Sequence, residues 1–552
     1  LKKIAVIVLL AFFSLLAVFV VARAADRSRR INLPTSKTLT LPVPGYIART
    51  NSFPATIALS PDGRYAALLN QGYGTQETGA RQSIAILNLS NNQLHDFPDD
   101  RLSDEYSTRQ SYFIGLTFSS DGKHLYASMG SITDPTGQKP ASTGNGIAIY
   151  KFADGQVTPE RFIKIPPQPL APGKEVAFGL RKTPAGTAIP YPAGLAVIPN
   201  PNGDRLLVAN NLSDNAIVLD ASSGKILQSF DLSRSRYVPA AYPYWIVANK
   251  AGTKAWVSLW NDSRVSELNL TTGRVAASYD LFARSDPTAP STHPTSLVLN
   301  SAENMLYVTL SNSDADFVVG LDLSTGQMAR RFHVNLDTSA KSDPGSVPQS
   351  IALSRDGGRL FVAGASLDAV AVFDTRDMRP EVSPLGFIPT EWYPSALAIV
   401  GDDLLITTAK GESSGLNNMQ GKLKGERKRK EHPYIATLIG GSIQRLSLAD
   451  IDKNLAAYTR QVEEDNLLHA DVGKFHFAAG SNPIHHIIYV LKENRTFDQI
   501  LGDLGAGDGD PSLTMYGKDI TPNEHKLALQ FGVLDNFYDS GEVSGDGHLW
   551  ST

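Results

Sequence analysis

The chain has 552 residues, 42% of them hydrophobic and 19% charged, a globular composition on a length that exceeds one ordinary core, so two or more domains are expected. Its 51 basic and 55 acidic residues leave a net charge of -4, which supplies no broad positive field and excludes nucleic acid as an expected partner. With no cysteine, disulfides, thiolate metal sites, a lipid-modified cysteine and covalent c-type haem attachment are excluded, and stability must come from packing.

Residues 1 to 24 read as a secretory signal peptide: a basic start at Lys2 and Lys3, an apolar run from Ile4 to Val21, and the small-x-small site Ala22-Arg23-Ala24. The expected location is the periplasm or the cell exterior. The same run left uncleaved would nearly span a bilayer, and it is the only membrane contact expected. A first residue of Leu, and an end at Thr552 soon after a motif, suggest a piece of a longer chain.

From residue 54 to about 450 the sequence repeats at intervals of roughly 40 to 60 residues. Each unit passes from an apolar strand through a polar turn to a β-branched or aromatic strand, then to a third strand that ends near Asp. Ile57 to Tyr65 (IALSPDGRY), Leu116 to Tyr126 (LTFSSDGKHLY) and Ile351 to Val362 (IALSRDGGRLFV) are the clearest copies, each with Asp-Gly at a tight hairpin. Weaker copies begin near Gly194, Trp245, Ser296 and Ala396, which makes seven. Seven small sheets, none able to bury both faces alone, pack most economically around an axis, so the body over residues 46 to 450 is expected to be a seven-bladed β-propeller and the protein mainly β.

The second strands, Leu306-Tyr307-Val308-Thr309, Leu207-Val208-Ala209-Asn210 and Leu360-Phe361-Val362-Ala363, resemble those of the YVTN family of seven-bladed propellers. That resemblance implies the fold and leaves function open. Several blades open with an aromatic or histidine before proline: Tyr191-Pro192, Tyr242-Pro243, His293-Pro294 and Tyr393-Pro394. Either the proline fixes the opening turn while the ring packs between blades, or the rings surround the channel mouth and bind a ligand. The interruption from Gly411 to Pro433, with GKLKGERKRKEHP, reads as a solvated loop, its alternative being a dock for an acidic partner or anionic headgroups.

At Leu448 alternation gives way to helical spacing, so residues 451 to 482 are expected to form a helical linker, with Gly480-Ser481-Asn482-Pro483 as the breaker. The tail, residues 483 to 552, is expected to be the first part of an α/β domain. Ile484 to Leu491 (IHHIIYVL) reads as a buried strand, with His485 and His486 in core or edge roles, and Thr496 starts a helix. Glu493 and Asn494 then fall on the strand-to-helix corner, where α/β sheets collect ligands, and both offer the oxygen that hard divalent cations prefer. Phe531 to Tyr538 is a second strand candidate, leading to Ser544 and His548. A serine flanked by glycine after a strand can approach a phosphate closely, and a metal on its hydroxyl would make it a nucleophile. Asp508 and Asp510 lack the spacing of a calcium loop and read as a turn.

The run Glu493-Asn494-Arg495-Thr496-Phe497-Asp498, with Asp535-Asn536-Phe537 downstream, resembles the bacterial phosphoesterases that include acid phosphatases and phosphatidylcholine-type phospholipases C, within the alkaline phosphatase superfamily. The resemblance implies that Glu493, Asn494 and Ser544 bind a divalent metal ion, that Ser544 is the nucleophile and that His548 stands at the family's following histidine, placed to orient a phosphate oxygen or assist the leaving group; Ser540 and Ser551 compete for the serine's place. It also implies that the later Asp and His ligands lie beyond this chain, that the α/β domain is truncated, and that the fragment alone is inactive. The expected function is an exported metal-dependent phosphoesterase acting on a phosphate-ester substrate, monoester or lipid diester, whose propeller recognises a protein or surface ligand. The alternative is a binding propeller with a non-catalytic tail. A third reading makes the propeller itself an enzyme, lactonase-like or quinoprotein-like.

Overall fold

The computed structural model describes residues 28–33, 35, 37–102, 110–282, 291–311, 317–336, 345–413, 435–469, 477–478 and 480–535. The signal segment, most of the charged loop, Ser540, Ser544, His548 and Ser551 lie outside them. Among the described residues no helix is long and apolar enough to cross a membrane.

Seven antiparallel sheets follow one another along the chain. In the first blade, strands Pro54–Leu59, Tyr65–Asn70, Ser83–Asn88 and Gln93–Pro98 pair in order. Every residue of Tyr65–Asn70 is buried, whereas Gln93–Pro98 is largely exposed. The second and third strands of a blade thus carry apolar side chains on both faces, and only neighbouring blades can cover them. The later blades start at Ser111, Pro192, Pro243, Pro294, Pro348 and Trp392.

Seven apolar clusters fill the seven gaps between blades. Ile86 and Tyr65 meet Leu125 and Phe152 between the first and second, and Val319 and Leu306 meet Trp256 between the fourth and fifth. Between the seventh and the first, Leu405 and Ile443 meet Leu68 and Leu87. Each such side chain, buried fully, contributes about 1.5–3 kcal/mol. The ring closes across the termini: Tyr46–Arg49 supplies the outer strand of the seventh blade and pairs with Ser442–Ser447.

The hairpin between the first two strands is built the same way in three blades. In the first, the Ser60 hydroxyl donates to Asp62 Oδ1 (2.6 Å) and accepts from Tyr65 N (2.9 Å), and Arg64 N donates to the same carboxylate oxygen (3.0 Å). Gly63 sits at φ 69°, a left-handed conformation that glycine adopts at no steric cost. Ser119 with Asp121, and Ser354 with Asp356, repeat the pattern.

Helix α1 (Leu448–Asp465) starts at Ser447, whose side chain caps Asp450 N. It is docked on the ring. Ile451 and Val462 enter the clusters beside the sixth blade, and the Thr459 hydroxyl accepts from Phe387 N (2.9 Å). A Cβ on Gly386 would lie 2.5 Å from Thr459 Oγ1, so glycine permits this close approach. Asp465 accepts from Thr40 N (3.1 Å) and Thr40 Oγ1 (2.8 Å), tying the helix to the hairpin of Arg29–Asn32 and Thr38–Leu41.

The tail departs from expectation. Ile484 to Leu491 forms no strand and pairs with none among the described residues, and Ile487 and Ile488 are 85% and 89% exposed. Its expected partner is not a strand at its start: Phe531 closes helix α3 (Pro522–Phe531), which has proline in the first turn, where its missing N–H costs nothing. The Leu-Ala-Leu-Gln run that follows is made of strong helix formers. The described tail therefore holds short helices and no α/β sheet, and His485 and His486 are exposed, in neither a core nor an edge role.

Candidate functional site

The expected metal corner is a sharp turn. Asn494 has φ 66°, in the left-handed region that asparagine tolerates better than most residues, and Thr496 follows as the N-cap of α2 (Phe497–Leu501). Thr496 and Gln499 form a capping box, in which each side chain bonds the other's backbone N–H. The turn sets Glu493 and Asn494 side by side, the Asn494 amide donating to Glu493 Oε1 (3.1 Å), with both residues exposed. Their oxygens suit a hard divalent ion in kind but not in number, since such ions take six or more donors. Among the described residues no group of three or more His, Asp or Glu is placed to hold a metal ion.

Behind the corner the tail has its own polar framework. Asp498 Oδ1 accepts from Asp510 N (2.7 Å), and Asp510 caps the turn Pro511–Leu513 through Ser512 N (3.0 Å). Asp510 is thus used in a turn. His525 is buried and bonded to Asp503 Oδ1 (2.8 Å) and to the Thr521 carbonyl (2.9 Å). Burial lowers its affinity for a proton, but these two acceptors prevail and lift its pKa above the ordinary histidine value.

A second arrangement lies at one end of the propeller channel. Phe53, Tyr191, Tyr242, His293, Val347 and Tyr393 all have φ between 47° and 68°, and each precedes a proline at or near the start of a blade's inner strand. Proline discourages right-handed α backbone in the residue before it, and a left-handed bulky residue costs about 1–2 kcal/mol. The conformation is held by hydrogen bonds to its carbonyl: Gln71 N to Phe53 O (3.1 Å), Asn211 N to Tyr191 O (3.0 Å), Trp260 N to Tyr242 O (3.0 Å) and Ala365 N to Val347 O (3.1 Å). Side chains from the preceding blade add to this. Buried Asp214 accepts from Ala240 N, Ala241 N and Tyr242 N, and Asp368 from Tyr393 N (2.9 Å). Burial pushes Asp368 up to about 6, and burial with Glu412 nearby pushes Glu391 up to about 7, against the bond from the Ser442 hydroxyl.

These backbones present rings around the mouth. Phe113 lies 5.4 Å from Tyr191 and 5.9 Å from Tyr244, Phe53 lies 5.9 Å from Tyr393, and Trp260 stacks on His293 at 4.0 Å. Phe53, Tyr244 and Tyr393 line a cavity of about 120 Å³. Both readings of the aromatic-proline pairs have a counterpart here, since the rings touch across blades and two of them, Phe53 and Tyr393, face the cavity. Sequence reasoning missed Phe53-Pro54 and Val347-Pro348 as members of the set. The signal was present: Pro54, Pro243, Pro294 and Pro348 each stand six positions before the turn residue Ser60, Asn249, Asn300 or Ser354.

No family model matches the chain, and no curated protein does. Among solved structures, it is similar to hydrazine synthase from Kuenenia stuttgartiensis at 13% identity and TM-score 0.45, over 65% of this chain and 93% of that one. It is similar to the periplasmic gluconolactonase PpgL of Pseudomonas aeruginosa at 17% identity and TM-score 0.43, over 61% and 85%. The count of seven blades rests on this chain's own strand pairing and seven interblade cores.

Proposed function

We propose that the complete protein is an exported phosphoesterase whose catalytic chemistry belongs to the tail and whose propeller serves recognition. The observation that supports the catalytic reading is the corner itself. A capping box and a left-handed asparagine project two adjacent oxygen-bearing side chains into solvent within the run Glu493 to Asp498.

In this reading Glu493 and Asn494, together with Ser544, would hold a divalent ion, which would supply Lewis acidity toward a phosphoryl oxygen. Ser544 attacks phosphorus and gives its hydroxyl proton to solvent water, the bond from phosphorus to the ester oxygen breaks, and a phosphoserine forms that water then cleaves. His548 protonates the departing oxygen. The exposed apolar run Ile484 to Leu491 is, on the same reading, a strand whose sheet neighbours belong to the rest of the α/β domain.

The test is hydrolysis of a chromogenic phosphate monoester and of a phosphatidylcholine analogue by the intact exported protein. Turnover abolished by a chelator and by Ser544→Ala supports the proposal. Turnover that survives both would take the chemistry away from the metal and from Ser544, and absent turnover with metal present would leave the propeller as a binding protein with a non-catalytic tail.

A further inference from the structure

We infer that the aromatic mouth of the propeller channel binds a neutral carbohydrate, an inference that rests on the recognition role proposed for this domain. It begins with a comparison among blades. The sixth blade makes the same left-handed turn before proline with Val347 as its neighbours make with Phe53, Tyr191, Tyr242, His293 and Tyr393. The turn therefore needs no ring. Five rings at one repeated position, joined by Phe113, Tyr244 and Trp260, exceed what the fold demands.

The polar groups at the mouth define the ligand. The Tyr244 hydroxyl and the side-chain amides of Gln71 and Gln349, residues that line the cavity, make no hydrogen bond to any described residue, whereas the Asn211 amide donates to the Pro243 carbonyl. Charged groups close by are engaged elsewhere. Asp214 and Asp368 accept from backbone N–H groups, and the Lys410 ammonium lies 4.7 Å from the Trp392 ring centre and 5.3 Å from that of Tyr393.

A cationic ligand would meet that ammonium on the Tyr393 side, and a wholly apolar ligand would desolvate these three polar groups without pairing them. A pyranose satisfies both demands, its C–H face packing on the rings and its hydroxyls bonding the Tyr244 phenol and the two amides. The cavity, about 120 Å³, is smaller than a site that engulfs a drug-sized molecule. One edge of a sugar enters it while the remainder lies across the rings, which suits the end of a glycan chain.

The experiment exposes the intact protein to an immobilised panel of neutral oligosaccharides (glucans, mannans, galactans and N-acetylglucosamine oligomers), then titrates the best of them against tryptophan fluorescence. Saturable binding is expected, weakened at least tenfold by Tyr393→Val, the residue type the sixth blade already carries in this turn. Tyr244→Phe with Gln349→Ala, which keeps the rings, is expected to weaken binding several-fold with an unchanged urea midpoint. No retention at millimolar sugar, preference for acidic over neutral glycans, or unchanged binding in both variants would overturn the inference. Phosphate-ester hydrolysis is measured in parallel and is expected to be untouched by the rim variants, so the loss of one activity is told apart from the loss of the other.

Discussion

Removing the Asp214 carboxylate probes how the rim is held. Asp214 is fully buried, and it accepts from Ala240 N (2.7 Å), Ala241 N (3.1 Å) and Tyr242 N (2.9 Å), the three residues that lead into the fourth blade. Asp214→Ala leaves three donors unpaired, each costing about 1–3 kcal/mol when buried. Burial also holds the carboxyl above its ordinary pKa, a penalty that the variant relieves. The net loss is about 3 kcal/mol, whereas Asp214→Asn keeps one acceptor oxygen and loses about 1–2 kcal/mol. Urea unfolding followed by tryptophan fluorescence reads this directly, because Trp245 and Trp260 belong to the blade that follows. With a slope of a few kcal/mol/M for a chain this long, the alanine midpoint falls by roughly 0.5–1 M. A fall below about 0.2 M with an unchanged slope would refute the reasoning, since the three bonds would then contribute almost nothing.

Ile443, fully buried between the seventh and first blades, loses about 3 kcal/mol on substitution by alanine. Because it pairs with Ala48, hydrogen exchange should quicken first in Tyr46–Arg49. Glu391 keeps its proton in the fold up to about 7 but releases it near 4.5 when unfolded. The folded state thus binds more protons across that window, and stability falls as pH rises through it, by up to about 3 kcal/mol. Glu391→Gln should flatten this slope in pH-dependent urea unfolding, matching the parent at pH values below the window and exceeding it above.

The ring was legible because its signals are local and repeated. Ser60-Pro61-Asp62-Gly63 dictates its own hairpin through a serine, a carboxylate and a left-handed glycine, and the same device returns at Ser119 and Ser354. Closure by Tyr46–Arg49 was not legible, because a strand of four residues acquires its partner only when the seventh blade comes round. Helix α1 was readable from its spacing, but its seat on the sixth blade depends on Gly386, whose missing side chain is silent in a periodicity. In the tail, the helix start at Thr496 was legible, and its capping box with Gln499 came only with the structure. The run Ile484 to Leu491 misled because an apolar stretch records a need for burial and does not supply the neighbour. At the mouth, proline marked the position, while the left-handed backbone before it arises from the ring geometry and from hydrogen bonds out of the next strand.

Phosphate release by the intact protein, titrated with divalent metal for the parent and for Glu493→Gln, tests the catalytic proposal most directly. The account predicts metal-dependent turnover in the parent and, in the variant, a curve displaced to much higher metal or abolished. Coincident curves would contradict it, and would detach the chemistry from the corner at Glu493 and Asn494.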